Sequence, residues 1–157
     1  MKMKIGHGYD VHRFGGDKPL YLGCVKFDSD LSLLAHSDGD VVSHAICDSL
    51  LGAAGLRDIG HQFPDNDDAF ENISGASLLA LTNAMIKKEG YDIVNVDVTV
   101  VAEKPKMAKN IVKMIEAVAR ALETDTDRIN IKATTEEGLG IAGNGIACHA
   151  VCLIERS

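Results

Sequence analysis

One short stretch concentrates side chains able to bind a metal: Ala35-His36-Ser37-Asp38-Gly39-Asp40-Val41-Val42-Ser43-His44. Two imidazoles and two carboxylates are separated by small residues. Ser37 or Asp38 can cap a helix, and Gly39 opens the turn without steric cost. If the helix starts there, Asp40 and His44 are four apart and share a face of its first turn. The same residues also fit plain capping by Asp38 or Asp40 with His44 at the surface. A second pair lies in Ile5-Gly6-His7-Gly8-Tyr9-Asp10-Val11-His12, a strand running into a loop. Asp10 and His12 are two apart and so point the same way on an extended chain, roughly 7 Å apart at Cα. Asp10, His12 and His44 make a three-ligand nitrogen and oxygen set. Three ligands leave one tetrahedral position open, the pattern of catalytic zinc, and the absence of cysteine from the set argues against a zinc-finger type of site.

Three further groups could serve an anionic or hydroxylated substrate. The polar segment Arg57 to Asp68 carries Asp58 and Asp65, candidates for holding hydroxyls, and Pro64 with its Asx neighbours marks it as a loop. Lys104 and Lys106 flank Pro105, which ends a strand and is placed to open a helix whose amides favour anions. Thr134-Thr135-Glu136-Glu137 sits between a strand end and glycines, a setting suited to phosphate and magnesium. Solvated turns and plain solubility compete with these readings.

The totals bound the function. A chain of 157 residues fits one domain, residues 1–157, with a real core. Apolar residues make up 46% and charged ones 25%, so the chain is neither disordered nor membrane-spanning. No apolar run reaches bilayer length, and Met1-Lys2-Met3-Lys4-Ile5 reads as a strand rather than a signal peptide. That points to the cytoplasm, or to an organelle stroma after transit-peptide removal. A net charge of −7 and 4% aromatic residues weigh against nucleic acid as a partner. A small phosphorylated substrate fits if bound divalent metals overcome the global field. Cys24, Cys47, Cys148 and Cys152 form no CxxC pair and read as reduced apolar fillers.

These groups need elements to position them. The spacing predicts a first strand, a loop through Gly15-Gly16, and a second strand over Leu20 to Phe27 that pairs with the first as a hairpin. A helix follows from about Asp40 to Ala54, with Gly55 as its stop. Another starts at Ser74 or Ser77 with Leu78, Leu81 and Met85 inward. Ile93 to Val101 alternates, with Val94, Val96, Val98 and Val100 facing one way. A third helix ends near Leu122 with Ile111, Ile115 and Val118 inward. Arg128 to Ala133 and Ile146 to Ile154 complete the strands. The last strand is apolar on both faces, which predicts helices on one face of the sheet and a neighbouring subunit on the other. The expected class is α+β: one mixed sheet of about four main strands, helices on one face, and an additional N-terminal hairpin.

Several segments together closely resemble the 2-C-methyl-D-erythritol 2,4-cyclodiphosphate synthase family. They are Ile5 to His12, Leu34 to His44, Asp58 to Gly60, Phe63 to Asp65, Asn95 to Thr99, Ala102 to Met107, Lys132 to Thr135 and Gly145 to Ala147, in the family's order along essentially the whole chain. The resemblance implies a homotrimer with active sites between subunits. The implied substrate is a small-molecule nucleotide, 4-diphosphocytidyl-2-C-methyl-D-erythritol 2-phosphate, cyclised with loss of cytidine monophosphate. It implies zinc on Asp10, His12 and His44, and magnesium or manganese on Glu137. His36 and Thr135 match positions that stabilise the transition state. Ser37, Asp58, Gly60 and Asp65 match the erythritol pocket. Ala102, Pro105, Lys106, Met107, Ala108 and Thr134 match a cytidine and phosphate wall supplied by a neighbour. Ile59, Phe63, Pro64, Asn66, Asp67, Glu136 and Ile141 match further substrate contacts.

One segment departs from the family pattern. Gly140-Ile141-Ala142-Gly143-Asn144-Gly145-Ile146 is two residues short and lacks an arginine that relatives carry. In relatives this region lines a cavity on the trimer axis that binds isoprenoid diphosphates, and the missing cation weighs against that binding here. Two other functions remain open on the residues alone: a phosphohydrolase using zinc-bound water, and a trimeric protein holding metal structurally.

Overall fold

The computed structural model describes residues 2–157. Four strands form one mixed sheet: β1 (Met3–Arg13), β4 (Tyr91–Val101), β5 (Ile129–Thr134) and β6 (Gly145–Arg156), in the order β1-β6-β4-β5. β6 runs antiparallel to both β1 and β4, while β4 and β5 are parallel. A parallel pair needs a crossover, and α4 (Ile111–Ala121) supplies it. α1 (Val41–Ala54) and α3 (Gly75–Lys88) pack beside it on the same face.

The core lies between that face and the helices. Val96, Val98 and Val100 of β4 and Cys148, Ala150 and Ile154 of β6 are wholly buried. Alternation leaves the other face open, with Ile5 73%, Tyr9 45%, Val11 42% and Val151 41% exposed. α1 lies tight against β1 because Gly6 and Gly8 have no side chain. A Cβ on either would run into the helix backbone, at the carbonyls of Ser49 and Ala45 respectively. This close approach brings the helix's first turn to the end of β1.

Several sequence expectations need correction. Leu20 to Phe27 is not one strand but a hairpin in itself, β2 (Tyr21–Leu22) and β3 (Val25–Lys26). β1 pairs with β6 instead. The turn residues Gly23 (φ 56°) and Cys24 (φ 65°) are both left-handed, as a tight two-residue hairpin turn requires. The supposed loop 57–68 contains a helical turn, α2 (Ile59–Gln62). In α3 the buried side chains are Leu78, Leu79, Thr82, Asn83 and Ile86, while Leu81 is 41% exposed. The buried stripe is centred between Leu78 and Leu79, and Leu81 falls well outside it at 100° per residue. A register shift between Ile93 and Asn95 puts Ile93 inward and leaves Val94 only half-buried, breaking its phase with Val96. Pro105 does not open a helix: α4 begins at Ile111 with Asn110 at its N-cap, after Met107 has turned into the core. Lys104 and Lys106 therefore lie on an exposed loop before the helix. Among the described residues, no helix is long and apolar enough to cross a membrane.

Candidate metal centre

Asp40 decides how the centre is built. Its carboxylate accepts the Ser43 amide (3.0 Å) and hydroxyl (2.8 Å), and the amides of Gly23 and Cys24 (2.8 Å each). It therefore caps α1 and pins the hairpin tip to it. With every contact used in this way and no exposure to solvent, Asp40 is not a metal ligand. Asp38 is also committed, accepting the Asp40 and Gly75 amides at 3.0 and 2.8 Å. Burial, then the nearby Asp40 charge, raises the Asp38 carboxyl above its usual range.

His44, in the first turn of α1, reaches the end of β1. Its Nδ1 lies 3.1 Å from Asp10 Oδ2, and His12 Nε2 lies 3.2 Å from the same oxygen. The His12 and His44 rings meet edge to face with centroids 6.1 Å apart. His12 Nδ1–H donates to the Leu34 carbonyl at 2.9 Å, fixing the ring so that Nε2 faces the centre. One donor atom from each of Asp10, His12 and His44 lies within 4.8 Å of the others. Two ligands at zinc–nitrogen and zinc–oxygen distances stand roughly 3.3 Å apart in a tetrahedron, so the spacing fits. Burial acts to raise the Asp10 carboxyl, but the hydrogen bonds and charges of His12 and His44 outweigh it and hold it well below the carboxylate range. The hydrogen bond to Asp10 raises His12. Burial works to lower His44, and Asp10, Asp40 and Asp38 together overcome it and raise it.

The three donors open onto a cavity of about 390 Å³, shared with His36, Ser37, Ile59, Gly60, Phe63 and Asp65. Phe63 and Phe70 meet edge to face at 5.2 Å in its wall. A metal-capable trio in the lining of a mixed polar and apolar cavity suits a polar ligand carrying a strong anion. A model of the YgbB family matches residues 3–155. The chain belongs to this family. Relatives named 2-C-methyl-D-erythritol 2,4-cyclodiphosphate synthase include one from Clostridium botulinum (strain Kyoto / Type A2), 52% identical over 98% of this chain and 100% of its own. Another, from Idiomarina loihiensis, is 50% identical over 99% of each. Among solved structures, the bifunctional IspDF of Campylobacter jejuni matches with TM-score 0.94 and 39% identity; 99% of this chain aligns with 43% of that one. The CDP complex of Plasmodium falciparum IspF matches with TM-score 0.86 and 38% identity over 99% and 97% of the two chains.

The remaining residues expected from the family resemblance are divided. Asp58 caps α2, accepting the His61 amide at 2.8 Å, so one of its oxygens is occupied. Asp67 caps the turn Asp68–Phe70 through the Ala69 amide. Pro64 and Asn66 belong to the same cavity-side loop without lining the cavity. Sequence reasoning missed Phe70, Glu71 and Ile73, which do line it. Their signal was available: two large apolar residues inside an otherwise polar, Asx-rich segment must cover something.

Ala102, Pro105, Lys106, Met107, Ala108, Thr134, Thr135, Glu136, Glu137 and Ile141 do not line this cavity. Val11, Ala147, Val101 and Thr134 form one row across all four strands. Thr134 and Thr135 therefore share the metal centre's end of the sheet but sit at the opposite edge, three strand spacings or about 14 Å away, while Ala102 continues β4 and Ile141 packs against Val101 and Ala147 between them. Met107 is buried in the core. The Glu136 carboxylate turns back to accept the Ile141 and Ala142 amides at 2.9 and 3.0 Å, so it braces its own loop. Glu137 is exposed and left-handed at φ 54°.

Proposed function

We propose that the chain converts 4-diphosphocytidyl-2-C-methyl-D-erythritol 2-phosphate into 2-C-methyl-D-erythritol 2,4-cyclodiphosphate and cytidine monophosphate. An oxygen of the 2-phosphate attacks the β-phosphorus, and the bond from that phosphorus to the oxygen of cytidine monophosphate breaks. Reaction within one molecule asks little covalent help of the protein; it asks for two anions held in line. The observation that carries this reading is the convergence of Asp10, His12 and His44 in the lining of the cavity. No activated serine or cysteine enters: Cys47 is buried and its thiol is pushed up to about 12 by that burial.

Asp10, His12 and His44 would hold zinc, and the Glu137 carboxylate would hold magnesium or manganese. Bound there, the ions supply Lewis-acid charge that offsets the repulsion between phosphates. His36 and Ser37 present their side chains beside the trio, and His36 with Thr135 stabilises the charge that builds on the transferring phosphoryl group. Ile59, Gly60, Phe63 and Asp65, with the neighbouring loop residues Pro64, Asn66 and Asp67, enclose the erythritol unit. Asp58 offers it the oxygen that is not capping α2.

The active enzyme is a homotrimer. Support comes from the 14 Å between the two groups at opposite edges of one sheet, and from the open apolar face of β1 and β6. Placing the β5 edge of one copy beside the β1 edge of the next brings Lys106, Thr134 and Thr135 to the cavity to bind cytidine and phosphate. Met107 contributes backbone there, since its side chain is in the core. We read the enzyme as cytoplasmic, in keeping with four free thiols.

Phosphorus NMR after incubation with this substrate, zinc and magnesium tests the reading. A cyclic diphosphate with cytidine monophosphate is expected. A linear phosphate product would instead mark a hydrolase and reject the cyclisation.

A further inference from the structure

The segment Ala35–Gly39, which carries His36 and Ser37, belongs to no helix or strand. Three successive carbonyls in it point at one cation. Lys18 Nζ donates to the carbonyl oxygens of Ala35 (3.2 Å), His36 (3.1 Å) and Ser37 (2.7 Å). Among the described residues, none of these carbonyls accepts a backbone amide. The same ammonium donates to Asn72 Oδ1 at 3.2 Å. Asn72 sits at φ 55° between Glu71 and Ile73, which line the cavity as His36 and Ser37 do. Three protons serve four acceptors, so the ammonium ties two cavity-lining segments at one point.

Lys18 is itself held. The Ser32 hydroxyl donates to its carbonyl, and the amides of Gly15 and Gly16 donate to the Ser32 carbonyl at 3.1 and 3.4 Å. A Cβ on Gly16 would collide with the Leu33 carbonyl, so the glycine loop lies flat against residues 32–33. The loop is thus a mount for Lys18 rather than a free flap.

We propose that Lys18 is a positioning residue: it sets the backbone of residues 35–37 and so aims His36 and Ser37 into the cavity. This rests on the cyclisation reading only for its kinetic consequence; the backbone effect stands apart from it. A compact ammonium suits three converging carbonyls, whereas a planar guanidinium does not. β1 and α1 carry the metal trio, which meets this segment at Ser37 Oγ, 3.4 Å from His44 Nε2, and at the Leu34 carbonyl, held independently of Lys18 because the Leu34 amide donates to the Arg13 carbonyl at 2.9 Å.

The test compares Lys18→Met with wild type in three measurements. Amide hydrogen exchange over residues 36–39 is expected to quicken by about tenfold or more, with zinc content unchanged. kcat/KM is expected to fall by about 10- to 100-fold, the scale of an ångström-level misplacement of a catalytic group. In a His36→Ala background the same substitution is expected to cost at least about threefold less than in the wild type, because only its effect through Ser37 remains. Wild-type exchange over 36–39, or losses that simply multiply in the double variant, would overturn the proposal. If Lys18→Met does not fold, Lys18→Gln replaces it, and wild-type exchange and kcat/KM in that variant overturn it equally. A wild-type enzyme that makes no cyclic product rejects the cyclisation, while the exchange result still decides the role of Lys18.

Discussion

His44 Nδ1 and Asp10 Oδ2 stand 3.1 Å apart, one on the first turn of a helix and the other at the end of an edge strand. Two features set that distance. Gly6 and Gly8 let α1 lie against the β1 backbone, and Asp40 starts the helix one turn before His44. The hydrophobic core therefore positions the pair before any metal is present.

His44→Ala is accordingly expected to fold and assemble but to bind no zinc. Several kcal/mol of charge stabilisation disappear with the ion, so kcat should fall by about 10³-fold or more. Chelation of the wild type should give the same folded, inactive protein, because the core around α1 is complete without metal. Metal analysis, circular dichroism and turnover together check this. Unfolding on chelation would mark the metal as structural.

Protons and zinc compete for the same donors, which gives opposite pH trends with and without metal. His12 and His44 are raised above 6.5 and Asp10 is held below 3.8. In the metal-free protein the raised imidazoles stabilise the fold fully below pH 6.5, and that contribution fades as pH rises through their folded values. The lowered carboxyl stabilises it above 3.8, and its contribution fades as pH falls through the folded value. The trio thus stabilises the apo-protein most between 3.8 and 6.5. Zinc needs the imidazoles deprotonated, so its affinity should rise with pH through neutrality. Thermal melts from pH 5 to 8 should show Tm falling for chelated protein and rising for zinc-loaded protein across the upper half of that range. Parallel curves would contradict the assignment.

The ligand trio was legible in the sequence because each half obeys a short-range rule. Asp10 and His12 follow the two-residue repeat of a strand, and His44 follows a helix start. The alternation of β6 was legible for the same reason, but not which of its two apolar faces the helices cover. What the sequence hid depends on contacts between distant segments. Asp40 looked like a ligand until its carboxylate was found on the amides of Gly23 and Cys24, a hairpin tip 16 and 17 residues earlier. Val94 fitted a perfect alternation until the bulge at Ile93/Asn95 shifted the phase. Phe70 and Ile73 line the cavity from an irregular segment with no periodicity, so only their apolar character in polar surroundings marks them.

Asp40 also yields a stability prediction. Asp40→Ala leaves the buried Gly23 and Ser43 amides and the part-buried Cys24 amide without their acceptor. Loss of a cap costs about 1 kcal/mol, and each stranded buried donor about 1–3 kcal/mol. With Ser43 counted as the cap and Gly23 and Cys24 as the stranded donors, a total of about 3–7 kcal/mol should appear as a lower denaturation midpoint. Asp40→Asn, which keeps one acceptor oxygen, should lose about half as much. Equal losses in the two variants would show that charge, not hydrogen bonding, holds the hairpin.

Glu137 presents the clearest case of backbone strain near a proposed metal ligand. Glu136, Glu137 and Gly138 are successive left-handed residues at φ 62°, 54° and 75°. Such a conformation costs a non-glycine residue roughly 1–2 kcal/mol. Glu136 has a structural reason for it, since its carboxylate closes the loop on the Ile141 and Ala142 amides. Among the described residues Glu137 has no such partner beyond its amide, which donates to Thr135 Oγ1 at 3.4 Å, and its side chain is exposed. Strain kept without a local return is a mark of function. Glu137→Gly should therefore raise stability by about 1 kcal/mol while weakening the response to magnesium. Glu137→Gln keeps the strain and should raise the magnesium concentration for half-maximal turnover by about tenfold, the loss of one carboxylate ligand, with zinc content unchanged. Magnesium titration and thermal melts of the two variants separate the effects. An unchanged titration in both would remove Glu137 from the second metal site.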